Sequence, residues 1–206
     1  MIKEKRICVF GDSGVSEEID WGFAHWVSVF RKYICKQDEN NSVFGLGISG
    51  ETSKGLLKRI ESEAKARNPN IILIVIGDND SRIQNQKMET SEKEFKINIE
   101  KIIKIAKRYS TMIIFLGSHP CNEHKTTPTI WSKKEYFYNK NQKKYNDIVK
   151  LICKQEKIKF IDVFDEFYNS NYKQYLDNED GLHLNKKGNL LIARKVIDFG
   201  KAKKMW

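Results

Sequence analysis

Short runs of apolar, β-rich residues alternate along the chain with longer stretches in which apolar residues recur at helical spacing. The short runs predict strands at Arg6–Phe10, Val43–Leu46, Ile71–Ile76, Met112–Leu116 and Lys159–Asp162. The amphipathic stretches predict helices near Trp21–Lys36, Thr52–Arg67, Ser91–Arg108, Lys134–Gln155 and Lys186–Lys201.

The predicted strand Ile71–Ile76 is apolar at every position, which indicates burial on both faces by covering helices. Strands that alternate with helices in this way are typical of parallel sheets. The pattern therefore predicts an α/β fold, a three-layer α/β/α sandwich around a five-stranded parallel sheet, with residues 1–206 in a single domain. Since ligands of such sheets bind beyond the carboxyl ends of the strands, the loops that follow the strands are where chemistry is expected.

Composition and charge exclude several classes of protein. The 206 residues carry a formal net charge of +10, but the basic residues are interleaved with Glu and Asp, which predicts a solvated basic surface and no nucleic-acid partner. The apolar run directly before Gly11 has only four residues, and no later run reaches membrane-spanning length, so we expect no membrane partner and a cytoplasmic location. The cysteines are far apart in the chain, which predicts free thiols at Cys8, Cys35, Cys121 and Cys153.

Two motifs near opposite ends of the chain carry candidate catalytic groups. The tripeptide Gly-Asp-Ser ends at Ser13, just after the first predicted strand, and Asp-Gly-Leu-His at residues 180–183 precedes the last predicted helix. A serine needs a base to become a nucleophile at neutral pH, and histidine is the side chain best suited to that task. An acid can hold the imidazole in the correct tautomer, so Ser13, His183 and Asp180 together suggest acyl transfer.

Two further motifs offer donors for the charge that develops in such a reaction. Gly-Ile-Ser-Gly at residues 47–50 follows the second predicted strand, and Gly-Asp-Asn-Asp at residues 77–80 follows the third. Attack on an ester places negative charge on the carbonyl oxygen, which donors already in position must meet. The N–H of Gly50, the amide of Asn79 and the N–H of Ser13 are the candidate oxyanion-hole donors.

The order and loop placement of these four motifs resemble the SGNH-hydrolase superfamily, also called GDSL esterases and lipases, over essentially the whole chain. The resemblance implies a flavodoxin-like fold, a small acyl ester as substrate, and a reaction without metal or cofactor. It implies Ser13 as nucleophile, Asp180 and His183 as its triad partners, and Gly50 and Asn79 as oxyanion donors. Members range from carbohydrate deacetylases to lysophospholipases, and the lack of an extended apolar lid segment favours a carbohydrate or short-chain acetylesterase.

The chain departs from the family pattern at two positions close to these motifs. Gly14 stands where Leu or Ile usually follows the serine, and Leu184 stands where Pro often follows the histidine. Neither departure removes a catalytic functional group. The carboxyls of Asp12 and Asp80 neighbour the proposed catalytic residues, and we interpret both as acceptors of backbone N–H groups that brace their loops.

Two other functions stay open at this point. One is a non-catalytic binding domain on the same fold. The other is a magnesium-dependent phosphatase that uses Asp78 and Asp80, because their Asp-x-Asp spacing loosely resembles the nucleophile loop of haloacid-dehalogenase-like phosphatases.

The longest irregular segment, Ser118–Lys133, has two interpretations. It forms the wall of a substrate pocket, as long loops in compact domains often do, or it is a packed surface loop anchored by Trp131. The remaining histidines, which match none of the motifs, are His25, His119 and His124. His25 falls in the first helical pattern and is interpreted as a packing or surface residue.

Overall fold

The computed structural model describes residues 4–17 and 22–206. In chain order its strands are β1 (Arg6–Gly11), β2 (Ser42–Gly47), β3 (Ile71–Val75), β4 (Ile83–Gln84), β5 (Lys87–Met88), β6 (Met112–Leu116), β7 (Glu135–Tyr136) and β8 (Lys159–Ile161). Its α-helices are α1 (Trp26–Cys35), α2 (Ser53–Arg67), α3 (Glu92–Tyr109), α4 (Glu123–Thr126), α5 (Asn139–Gln155), α6 (Phe164–Tyr168) and α7 (Lys186–Ala202). A short 3-10 helix spans Tyr172–Tyr175.

The central sheet has five strands in the order β2-β1-β3-β6-β8, and every neighbouring pair is parallel. Successive residues of β1 point to opposite faces, so Ile7 and Val9 enter one apolar core while Cys8 and Phe10 enter the other. Helices α1 and α7 cover the first face, and α2, α3 and α5 cover the second. The predicted three-layer α/β/α sandwich around a five-stranded parallel sheet is therefore confirmed.

Two helices begin later than the sequence pattern predicts. Helix α1 starts at Trp26, because the His25 side chain accepts a hydrogen bond from the N–H of Val27 and forms the N-cap; Trp21 lies outside the described residues. Helix α5 starts at Asn139 and not near Lys134. No helix in the described part of the chain is both long and apolar enough to cross a membrane.

The segment before α5 belongs to a small antiparallel sheet, in the order β5-β4-β7, that the sequence pattern did not predict. Its strands are two residues long. The central strand β4 pairs with the nearby β5 and also with the distant β7, where Ile83 lies opposite Tyr136 and Gln84 opposite Glu135. From Glu135 to Asn139 buried and half-buried residues alternate, which is the spacing of a strand and not of a helix. Helices α4 and α6 were also not predicted, because each spans only one or so turns.

The strand order brings the motif-bearing loops to one edge of the sheet. Because β1 lies between β2 and β3, the loops that follow these three strands are neighbours at the carboxyl edge. Helix α7 packs on the same face as α1, which brings residues 180–183, just before α7, towards that edge. The fold therefore collects the four motifs in one region, as expected for a parallel sheet.

The four cysteines are free thiols, as predicted. Three of them lie in the protein interior, where burial raises the pKa of Cys8, Cys121 and Cys153 to about 12. These side chains are neutral packing groups at physiological pH and not nucleophiles.

Candidate active site

The side chains of Ser13, His183 and Asp180 form a continuous hydrogen-bonded row. His183 Nε2 lies 3.0 Å from the hydroxyl oxygen of Ser13, and His183 Nδ1 lies 2.7 Å from Oδ2 of Asp180. Ser13 sits in a tight turn closed by Val15 and Ser16, whose N–H groups both donate to the carbonyl of Asp12 at 3.0 Å. The geometry matches the relation of nucleophile, base and orienting acid that acyl transfer requires.

A local turn explains how Asp180 and His183 face each other. Oδ1 of Asp180 accepts the N–H of Leu182 at 2.7 Å and the N–H of His183 at 2.9 Å, which leaves Oδ2 for the imidazole. Gly181 has a φ of +66°, a left-handed conformation that glycine adopts at low cost. Burial raises the pKa of Asp180, but the hydrogen bonds from His183 and the backbone outweigh it, so the pKa is lowered overall. The carboxylate is therefore ionised and suited to stabilise an imidazolium.

The segment that carries His183 is held at both ends by tertiary contacts. The carbonyl of His183 accepts the N–H of Asp177 at 2.7 Å, and Leu176 forms an isolated β-bridge with Leu184. Asn189, which is 3% exposed, donates to the carbonyl of Leu184 at 2.9 Å and accepts the N–H of Trp26 at 2.9 Å. Asn189 thus ties the histidine loop to the start of α1.

Asn79 lies against Asp12, next to Ser13. Its amide nitrogen donates one hydrogen bond to Oδ2 of Asp12 at 3.2 Å, and the second amide hydrogen remains for another acceptor. Oδ1 of Asp12 accepts the N–H of Gly14 at 2.9 Å, so Asp12 braces its loop as predicted. Burial raises the pKa of Asp12 to about 6, against the lowering effects of the Gly14 bond and of His183.

Gly50 occupies a more open position than the other predicted site residues. It lies on the exposed loop between β2 and α2 with a φ of +76°, and it is not among the described residues that line the cavity around Ser13. The N–H of Ile48, on the same loop, donates to the carbonyl of Gly11 at 3.0 Å and so joins this loop to the Ser13 loop. The structure brings Ser13, Asn79, Asp180 and His183 together, and the bond from Ile48 to Gly11 holds the loop of Gly50 beside the Ser13 loop.

Asp80 points away from the cavity and braces helix α2. Its two carboxyl oxygens accept the N–H of Ser53 at 2.8 Å and the hydroxyl of Ser53 at 2.6 Å. This confirms the interpretation of Asp80 as an acceptor that holds a loop to a backbone N–H. The phosphatase alternative needs Asp80 as a free carboxylate beside Asp78, and both oxygens of Asp80 are engaged elsewhere.

A cavity opens beside Ser13 with a volume of about 730 Å³, part of it open to solvent. Its walls are largely apolar and include Val75, Leu116, Phe137 and Ile192. Ser118 and His119 line it as well, so the start of the Ser118–Lys133 loop does form a pocket wall. The far end of the loop lies at the surface, where the Trp131 side chain is 49% exposed and its indole N–H donates to Glu135 at 2.8 Å. Both departures from the family pattern, Gly14 and Leu184, also face this cavity.

Three titratable residues of the cavity wall lie outside the predicted triad and oxyanion hole. Burial lowers the pKa of His25 and of His119 to about 4, so both rings are neutral near pH 7. Burial, with a further contribution from the charge of Asp12, raises the pKa of Asp78 to about 8. The amide nitrogen of Gln142, on α5, donates to Asp78 at 3.3 Å. The Asp-x-Asp spacing singles out Asp78 in the sequence. No local pattern marks His25 or His119 as a site residue, because the cavity that they line exists only in the folded chain.

A second row of polar groups runs from Asn79 to the protein surface. Arg82 Nη1 donates to Oδ1 of Asn79 at 3.4 Å and lies 3.5 Å from Oε2 of Glu135. The other carboxylate oxygen, Oε1 of Glu135, accepts the indole N–H of Trp131 at 2.8 Å. The Trp131 ring centroid lies 6.2 Å from that of His183, so the far end of this row lies beside the His183 imidazole. Sequence reasoning did not connect these residues, since Glu135 meets Arg82 only through the pairing of β4 with β7.

The chain resembles known proteins both in sequence and in fold. The model of the GDSL-like Lipase/Acylhydrolase family matches residues 9–191. The GDSL esterase/lipase CPRD49 of Arabidopsis thaliana is 22% identical over 202 residues, which cover 93% of this chain and 77% of that protein.

Two solved structures share the fold. A lipase/acylhydrolase from Enterococcus faecalis superposes with a TM-score of 0.78 at 18% identity, over 97% of this chain and 96% of that one. A variant of Axe2, an acetyl xylan esterase from Geobacillus stearothermophilus, gives a TM-score of 0.72 at 20% identity, over 94% and 93% of the two chains. At these identities the superpositions establish the α/β architecture.

Proposed function

We propose, from the premise that this chain belongs to the GDSL-like Lipase/Acylhydrolase family, that Ser13, His183 and Asp180 form the catalytic triad of a serine esterase. Family membership makes the chain an SGNH-type ester hydrolase. The observation that carries the proposed triad is the continuous row of hydrogen bonds, 3.0 Å from Ser13 to His183 and 2.7 Å from His183 to Asp180. The rival function, a non-catalytic binding domain, does not require this row.

In the proposed acylation step, His183 Nε2 takes the proton of the Ser13 hydroxyl while the oxygen attacks the ester carbonyl. Collapse of the tetrahedral intermediate breaks the bond to the alcohol, and the imidazolium gives its proton to the leaving alkoxide. In deacylation, His183 takes a proton from water while the water oxygen attacks the acyl carbonyl. The intermediate then collapses with cleavage of the bond to the Ser13 oxygen, His183 returns its proton to that oxygen, and the carboxylic acid leaves. Asp180 keeps Nδ1 protonated and stabilises the positive charge of the ring in both steps.

The proposed oxyanion hole consists of the N–H of Ser13, the N–H of Gly50 and the amide of Asn79. Asn79 suits the role because its bond to Asp12 uses only one of its two amide hydrogens. The bond from Arg82 to the amide oxygen fixes which end of the amide carries the nitrogen. An amide held by a donor at its oxygen and an acceptor at its nitrogen does not flip. Such a donor meets the developing charge without reorganisation.

The proposed substrate is an ester of a short acyl group, with an acetylated carbohydrate as the first candidate. Asp78, Ser118 and His119 add polar groups to an otherwise apolar cavity wall, and a short acyl group fits there without burying an alkyl chain against them. The similarity to an enzyme described as an acetyl xylan esterase supports the same choice.

Removal of the nucleophile tests the proposed triad. Ser13→Ala should abolish hydrolysis of p-nitrophenyl acetate, because it removes the hydroxyl that lies 3.0 Å from His183 Nε2, and it should leave thermal stability nearly unchanged. Ser62→Ala, which removes an exposed serine hydroxyl from α2, is the matched control. A fluorophosphonate probe should label the parent protein at Ser13. Parental turnover by Ser13→Ala would exclude this mechanism, and an unlabelled, inactive parent would favour the binding domain.

The choice of substrate is tested separately. Rates on p-nitrophenyl esters of two, four and eight carbons should fall with chain length, and acetylated xylosides should be deacetylated. A preference for the eight-carbon ester would contradict the short acyl group while leaving the triad in place.

A further inference from the structure

Trp131 is an exposed aromatic residue immediately beside the proposed catalytic base. Its side chain is 49% exposed, and its ring lies 6.2 Å from that of His183, centroid to centroid, at an angle of 43°. Trp131 is not among the described residues that line the cavity next to Ser13. It therefore presents an apolar surface to solvent beside His183 and outside the enclosed part of the site.

The orientation of this ring is fixed by buried groups beneath it. The indole N–H donates to Glu135 at 2.8 Å, and Glu135 is only 6% exposed. Arg82 lies 3.5 Å from the other oxygen of that carboxylate and balances its charge. The backbone of the turn is closed by a bridge between Thr129 and Ser132. An exposed tryptophan tethered in this way offers a preorganised surface, which lowers the entropic cost of binding a ligand.

The chemistry of the triad decides which part of a substrate meets Trp131. His183 gives its proton to the leaving alkoxide, so the alcohol oxygen of the ester must come within hydrogen-bond distance of His183 Nε2. The remainder of the alcohol then lies next to the imidazole, where the Trp131 ring stands. The acyl group, on the other side of the carbonyl carbon, faces the cavity beside Ser13.

We propose that Trp131 forms the alcohol-side subsite of this esterase and selects esters whose alcohol is a ring with one apolar face, a pyranose. The half-exposed indole suits such a ligand, because one face of a sugar ring is lined with C–H groups while its hydroxyls stay in water. A short alkyl alcohol offers little contact area to the indole. The indole N–H already donates to Glu135, so the ring face is the part of Trp131 that a ligand can contact. The inference rests on the proposed function, since it takes His183 as the proton donor to the alcohol.

The test compares two acetyl esters that differ only in the alcohol, an acetylated methyl β-xylopyranoside and ethyl acetate. Trp131→Ala should lower the ratio of kcat/KM for the sugar ester to that for ethyl acetate by about five- to tenfold, chiefly through KM. Trp131→Phe, which keeps an aromatic face, should retain most of this preference. Ile130→Ala removes the neighbouring exposed side chain and should leave the ratio at its parental value.

Two outcomes of the kinetic comparison would overturn the subsite. An unchanged ratio in Trp131→Ala would show that the ring does not contact the alcohol. An equal loss on both esters would show instead that Trp131 acts on His183 and not on the substrate.

A binding measurement separates failure of the subsite from failure of the proposed function. Saturation-transfer NMR with methyl β-xylopyranoside, the product alcohol, requires no turnover and can be done on Ser13→Ala. The subsite is supported if the double variant with Ser13→Ala and Trp131→Ala no longer binds the sugar while the double variant with Ser13→Ala and Ile130→Ala still binds it. This result counts even if the parent protein hydrolyses neither ester. Binding that survives the loss of Trp131 contradicts it whatever the activity.

Discussion

Asn79 is held at both ends of its side-chain amide, and the two partners have different chemistry. Asp12 only accepts and therefore takes the nitrogen at 3.2 Å, whereas Arg82 only donates and therefore takes the oxygen at 3.4 Å. If the Asn79 amide were reversed, its oxygen would face the carboxylate of Asp12 and its nitrogen would face the guanidinium of Arg82, and neither pair could form a hydrogen bond. At the scale of single residues, Arg82 is thus a positioning residue for the proposed oxyanion donor.

This arrangement predicts coupled losses of activity. Asn79→Ala should lower kcat by about a hundredfold or more with little change in KM, because the donor matters most when the carbonyl oxygen becomes charged. Arg82→Met should lower kcat by about tenfold in the parent protein and should have no further effect once Asn79 is alanine. Steady-state kinetics of the two single variants and the double variant measure the coupling.

Arg67→Met provides the matched control for Arg82, because it removes a partly buried guanidinium from the end of α2. It should leave kcat near the parental value. A loss from Arg82→Met that is equally large with and without Asn79 would contradict the positioning role, since it would show that Arg82 acts through the fold in general.

At the scale of elements, the start of helix α2 is capped from a distant part of the chain. Its N-cap residue, Thr52, makes no side-chain cap bond. The first N–H of the helix, that of Ser53, is taken instead by Asp80, and the Ser53 hydroxyl binds both Asp80 and the amide of Asn98 on α3. The contact joins the loop after β3 to helices α2 and α3 beneath Asn79.

Removal of the Asp80 carboxyl should lower the free energy of unfolding more than removal of the Thr52 hydroxyl at the N-cap position. Asp80→Ala should lower the free energy of unfolding by ~2–4 kcal/mol, because it leaves the buried N–H and hydroxyl of Ser53 short of an acceptor. Thr52→Ala, the matched control, should cost well under ~1 kcal/mol. Urea denaturation measures both. A larger effect at Thr52 than at Asp80 would show that the helix does not depend on the distant carboxyl.

At the scale of the whole molecule, folding brings three carboxyls close together, those of Asp12 and Asp80, which are buried, and that of Asp78, which is half-buried. Burial raises the pKa of each, to about 6 for Asp12 and about 8 for Asp78, and the charges of Asp12 and Asp80 raise that of Asp78 further. The folded protein therefore holds a proton on Asp78 that the unfolded chain releases near its ordinary pKa of 3.8. The contribution of Asp78 to the free energy of unfolding is therefore full at low pH and is lost as the pH rises towards about 8.

Asp78→Asn should therefore stabilise the protein at alkaline pH and not at acid pH. Asparagine keeps an acceptor for Gln142 without the charge, so the urea midpoint of the variant should exceed that of the parent at pH 8.5 and approach it near pH 4. Asp198→Asn, which removes an exposed carboxyl, controls for the change in net charge. If the difference in urea midpoint between variant and parent is the same at both pH values, the carboxyl of Asp78 is ionised in the folded protein at both.

The sequence by itself determined the five parallel strands, the main helices and the loops that carry Ser13, Asn79, Asp180 and His183. These features depend on local causes, namely apolar spacing, turn residues and motifs that directly follow a strand. The pairing of Asp180 with His183 is likewise local, because a three-residue turn around Gly181 is enough to form it.

Only the tertiary structure decided which distant side chains meet around these loops. Asp80 caps a helix that begins 27 residues earlier, and Glu135 reaches Arg82 only where two-residue strands pair, so neither contact leaves a periodic trace in the sequence. The burial that raises the pKa of Asp78, and the exposure of Trp131 beside His183, arise from how the loops close over the sheet edge. The sequence places chemical groups along the chain, and the energies of burial and charge that define a site exist only once the chain has folded.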